Sequence, residues 1–155
     1  MSDAAPLFIA FFIVCAFGAV ATFFAPAPAA PRLLATIGAI SSLMVLAAGG
    51  SLLLGESAWR VNLWSVLDLG TMALSADPLS ALFLLVSGAI FLPVSLSSGA
   101  YLKKYAAHDG LRYFSVLYHG LFASVVLTLI AADAISFLIA WEAMSIIGYL
   151  LVTYD

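Results

Sequence analysis

Five stretches of the sequence, residues 7–24, 33–54, 79–99, 111–131 and 134–153, are long and apolar enough to cross a hydrocarbon layer, since a spanning helix needs about 20 mainly apolar residues. Lipid leaves no water to satisfy the backbone, so each such stretch is expected to be a helix that closes its own hydrogen bonds. Composition points the same way: of 155 residues 65% are apolar and 8% charged, with a mean hydropathy of +1.19, whereas soluble domains carry about 25% charged residues. Eight acidic and five basic side chains cannot clothe a water-facing surface. The expected fold class is therefore all-α integral membrane, one membrane domain over residues 1–155 with five transmembrane helices.

The first run is followed by APAPAAP, which resembles a small-residue cleavage region, but its leading MSDAAP carries an acid and no lysine or arginine. Export signals begin with positive charge, so a retained helix is expected. Arg32 lies between the first and second runs, and Lys103, Lys104 and Arg112 between or beside the third and fourth; the other side holds only Arg60. Basic residues gather on the cytoplasmic side. The N-terminus is expected outside, the C-terminus in the cytoplasm, and the chain multi-pass in the cell inner (plasma) membrane.

Residues 55–78 form a long connection in which Trp59, Val61 and Leu63 alternate with Arg60, Asn62 and Trp64, followed by Asp68 and Gly70. That period predicts a short outer hairpin, the alternative being an irregular loop anchored in the interface by its tryptophans. Asp77 before Pro78 is a helix start, because the carboxylate accepts an orphan N–H and proline forfeits none. Asp133 is expected to cap the fifth helix after a connector so short that helices four and five must be antiparallel neighbours. Pro93 predicts a kink or a lost backbone bond in helix three. Cys15, the single cysteine, can form no internal disulfide and reads as a small packed hydrophobe.

Glu142 stands about nine residues beyond Asp133, roughly 13 Å along the helix at 1.5 Å per residue, and so near mid-membrane. An acidic residue there costs about 2.5 to 3.5 kcal/mol on insertion scales. Leu138, Ser145 and Tyr149 share its helical stripe, and Ile139, Ala143 and Leu150 make an apolar side. In hydrocarbon a carboxyl group prefers the neutral form, and beside a cation it ionises, so Glu142 is the minimal element of a proton relay. The alternative is a permanently protonated acid in an interhelical hydrogen bond. His119, with Ser115 one turn earlier, is a second polar residue, offset roughly 7 Å in depth from Glu142. It is either a neutral imidazole donating to a backbone carbonyl or serine, or a further polar station with Ser145 and Tyr149. His108 and Asp109 read as loop residues. No metal-ligand spacing, nucleophile with its base or glycine-rich phosphate loop occurs, no cofactor is expected in this chain, and a net charge of −3 argues against a nucleic-acid partner.

ADPLSALFLLV (76–86), SSGAYLKKY (97–105) and LIAADAISFLIAWEAMSIIGYLLVTYD (129–155) resemble the opening of the antiporter-like membrane subunits of complex I, multisubunit cation/proton antiporters and membrane-bound hydrogenases. WEAMSIIGYLLV is most similar to the hydrogenase-4 component B and formate hydrogenlyase type. The likeness covers about residues 57–155, and the first two helices by pattern only. It implies that Glu142, the glutamate after the tryptophan, handles protons and is paired with a lysine on a later broken helix. It also implies an assembly in which other membrane subunits and redox partners carry the electrons, with no redox centre in this chain. That family has roughly fourteen helices, a fold-level analogy; Lys103 and Lys104 are both in a loop, and no lysine lies in an apolar run.

The expectation is thus the N-terminal portion of a proton-translocating subunit, non-redox itself, within an oxidoreductase complex, either as part of a longer or split gene product in which Glu142 is half of a site or as a degenerate subunit in which it is a relic. A structural or assembly subunit without ion conduction is the alternative, and a small transporter made by pairing five-helix units is a third reading.

Overall fold

A computed structural model describes residues 4–26, 28–55, 59–66, 70–102 and 110–153. Five helices form: α1 Ala4–Phe24, α2 Ala30–Leu54, α3 Pro78–Tyr101, α4 Gly110–Ile130 and α5 Ala134–Val152. All five are long and apolar enough to cross a membrane. Between α2 and α3 lies a hairpin of β1 Trp59–Val66 and β2 Gly70–Ala76, antiparallel from Trp59 opposite Ala76 to Val66 opposite Gly70, with an irregularity between Asn62 and Trp64. The hairpin expected from alternation is therefore present. Its turn, with Asp68, and the loop with Lys103, Lys104, His108 and Asp109 lie outside the described residues.

The helices alternate in direction, so the chain has two ends. The hairpin end gathers the start of α1, the hairpin and the α4–α5 connector: Trp59 packs on Phe8 with ring centroids 5.1 Å apart, and Ala132 donates its N–H to the Ala73 carbonyl at 2.9 Å. The connector thereby covers the free edge of β2, which would otherwise present unpaired backbone groups. At the opposite end Ala25, Ala30, Leu34, Leu102 and Tyr118 close a smaller apolar cluster.

α1 packs on α2 and α4, α2 on α3, and α5 chiefly on α4. Lipid is as apolar as leucine, so burial alone does not drive helices together, and close van der Waals contact must do it. Two features supply it. Phe122, fully buried, stacks on Phe91 at 4.0 Å and meets Phe11 edge-on at 5.0 Å. At Gly88 a Cβ would come within 2.8 Å of Leu46 Cγ and 3.2 Å of the Ser42 carbonyl, so only glycine lets α2 and α3 approach this closely.

α3 begins at Asp77, whose carboxylate accepts the Ser80 N–H at 2.7 Å; that bond holds the carboxyl below its usual range. The helix runs on across Pro93 as a single element. Thr22 and Ser42 return their hydroxyls to carbonyls of their own helices at 2.7 and 2.8 Å, as polar groups in a dry interior must. Cys15 is buried, its thiol 3.7 Å from Ser41 Oγ.

Candidate functional site

α5 is placed by its first residue. Asp133 accepts the Ser136 N–H at 2.9 Å and the Ser136 hydroxyl at 2.6 Å, and reaches 60 positions back to accept the Ala73 N–H at 2.7 Å. These bonds, led by the one from Ala73, hold its carboxyl down at about 2. The expected helix cap is thus also a tie between α5 and the hairpin.

Below that tie, Ser136 and Ala140 are the buried residues of α5, with Ala143, Ile147 and Leu151 half-buried beside them. Gly120 of α4 faces Ile147: a Cβ there would lie 3.3 Å from Ile147 Cδ1, a tight contact with the tip of a flexible side chain. Successive helical residues are rotated by about 100°, so Glu142 points nearly opposite to Ala140, away from α4. Glu142, Leu138, Ser145 and Tyr149 are all exposed, and the four share one outward stripe. The apolar side anticipated opposite that stripe is not the packing face as such. Ile139 and Leu150 are also exposed, and the contact centres on the smaller Ser136 and Ala140, because small residues allow the closest approach between helices.

Ser145 Oγ donates to the Trp141 carbonyl at 3.0 Å, so that hydroxyl serves its own helix. Among the described residues no hydrogen bond or ion pair reaches Glu142.

His119 is 1% exposed. Its Nδ1 donates to the Ser115 carbonyl at 2.9 Å, which leaves Nε2 as a lone-pair acceptor. Among the described residues neither Nε2 nor the Ser115 hydroxyl has a partner. The ring faces α1, where a Cβ on Gly18 would sit 2.5 Å from Nε2; the glycine is what lets α1 lie against the imidazole. Since Glu142 faces away from α4, the body of α5 lies between the two residues. The structure does not bring them together.

A buried polar contact that the sequence did not disclose joins α3 to α4: Ser95 Oγ and Tyr118 Oη are 2.7 Å apart, and Tyr118 also donates to the Phe91 carbonyl at 3.3 Å. Tyr118 directly precedes His119, which was the available signal. Its partner is 23 positions away, and no local pattern names it. Chemically, the site is a carboxyl group at mid-helix on an outward face, backed by a tightly packed interior whose polar atoms are separate from it. Comparison with models of protein families gives no match, and comparison with curated proteins gives none either.

Proposed function

We propose that this chain is the N-terminal portion of a proton-translocating, antiporter-like subunit of a complex-I-related membrane oxidoreductase or hydrogenase, and that Glu142 is its proton-handling group. The observation that carries the reading is the outward carboxyl at mid-helix on α5, without a bonding partner among the described residues. An ionisable residue inside a spanning segment is costly, and it ordinarily faces a partner or a water-filled path. No hydrogen bond or ion pair reaches Glu142 among the described residues, which supports a counterpart on a further membrane helix that seats on this face and carries a cation, as the resemblance of WEAMSIIGYLLV implies. Approach of that cation favours the carboxylate and its withdrawal favours the neutral acid, which takes up and releases one proton per cycle.

The basic residues Arg32 and Arg112 stand at the end opposite the hairpin, which supports an orientation with the hairpin and N-terminus outside and the C-terminus in the cytoplasm of a cell inner membrane. Electrons pass through partner subunits.

Replacing Glu142 by Gln in the assembled complex keeps the side chain's size and removes its charge. The expected outcome is loss of redox-driven proton translocation with assembly unchanged; full translocation at normal assembly would defeat the proposal. The separation of His119, Ser95 and Tyr118 from Glu142 favours a second reading, a structural or assembly subunit that conducts nothing. On that reading Glu142→Gln leaves transport intact, and Glu142→Leu alone disturbs assembly.

A further inference from the structure

At the end of the molecule opposite the hairpin, three helices shape a groove of about 510 Å³, within the ~300–1,000 Å³ span of small-molecule sites. Its floor is Tyr113, Val116 and Leu117 of α4; Phe23 of α1 walls one side, and Leu150 and Thr153 of α5 the other. α1 and α5 each pack on α4, and the groove is the space left between them. Its lining is apolar apart from Tyr113, 58% exposed, and Thr153, the C-cap residue of α5, whose hydroxyl donates to the Tyr149 carbonyl at 2.8 Å. Arg112, exposed, lies one turn before Val116 on the same side of α4.

Charge marks this end as well. Among the described residues this end has Arg32 and Arg112 and no acidic side chain, while the hairpin end sets Arg60 against Asp77 and Asp133. An occupant of this groove must therefore be apolar along its length, present within the membrane, and negatively charged at the end that meets Arg112. The slot lies between Phe23 of α1 on one side and Leu150 of α5 with its C-cap residue Thr153 on the other. An acyl chain is slender enough, and a guanidinium forms paired hydrogen bonds with phosphate.

We propose that this groove seats an acyl chain of an anionic glycerophospholipid whose phosphate is held by Arg112. The lipid joins α1 to α5 across α4 and steadies the helix that carries Glu142, whatever the role of that carboxyl. The full-length chain, purified in mild detergent and offered phosphatidylglycerol or phosphatidylcholine, should retain phosphatidylglycerol preferentially in native mass spectrometry. Arg112→Gln should reduce that preference about fivefold, as expected for loss of one interfacial cation. Leu117→Trp, which fills the groove, should lower retention of both lipids. A phosphatidylglycerol with a photoreactive acyl chain should label Val116 and Leu117 more than the outward residues Leu82, Phe83 and Val86 of α3. A phosphatidylglycerol preference undiminished in the Arg112→Gln chain, equal labelling of the two faces, or labels that join two protein chains would each overturn the proposal. If Leu117→Trp fails to insert, the Arg112→Gln preference and the labelling pattern decide.

Discussion

The interior of the α1–α4 bundle and the outer face of α5 treat polar groups in opposite ways. Inside, Thr22, Ser42, Ser95 and Tyr118 all have bonds to neighbouring carbonyls or hydroxyls, and His119 is pinned through Nδ1 with glycine making room beside it. On α5 the one carboxyl of the spanning helices points outward, bonded to nothing among the described residues. Interior polar groups are thus bonded mostly within the chain's own packing, His119 Nε2 and the Ser115 hydroxyl excepted, whereas Glu142 lies outside that packing. Substitutions in the first region should act on folding and those in the second on what the chain does with others.

The sharpest way to break this contrast is to overfill the interior. Gly88→Leu places a side chain against Leu46 and the Ser42 carbonyl, where even a Cβ meets atoms at 2.8 and 3.2 Å. The expected cost is about 3 kcal/mol, measured as unfolding in mixed micelles; an unchanged transition would mean that α2 and α3 are not in such contact.

A smaller and more local effect is expected at the tie between hairpin and α5. Asp133→Ala removes acceptors for the Ala73 and Ser136 N–H groups, so both amides should exchange hydrogen faster while the interior of α2 keeps its protection. Acid should do the same in the natural chain. The Asp133 carboxyl is lowered from an ordinary 3.8 to about 2 by these bonds. Its contribution is present above pH 3.8 and is lost as the pH falls through about 2. Slow exchange at Ala73 that persisted in the Asp133→Ala chain would show that the backbone bridge from Ala132 holds the hairpin alone.

The smallest effect on stability is expected at Glu142. With no partner to lose, Glu142→Gln should change the unfolding free energy by less than about 0.5 kcal/mol. A large loss would place the carboxyl in the chain's own packing and remove the contrast.

Much of this architecture was legible in the residues themselves. Helix lengths follow from apolar runs and the hairpin from alternation around Trp59. The caps at Asp77 and Asp133 follow from carboxylates placed before helical runs, with Pro78 adding to the first. These signals are local. What escaped was long-range: that Asp133 also reaches Ala73, that Ser95 meets Tyr118, and that Gly18 lies against His119 each depends on which helices become neighbours. Pro93 lies inside α3, which continues on both sides of it although proline has no N–H to give to the helix there. The stripe of Leu138, Glu142, Ser145 and Tyr149 was readable from helical spacing, but its direction was not. A strongly apolar helix has no single hydrophobic face to say which side packs, and on α5 small Ser136 and Ala140 decided it.

The most direct measurement follows the protonation of Glu142 itself. An infrared difference spectrum of the assembled complex, resting against energised, reports carboxyl groups that gain or lose a proton. The expected result is a protonated-carboxyl band that changes between the two states and vanishes in the Glu142→Gln chain. The same band, undiminished in that variant, would contradict a proton-handling role for Glu142.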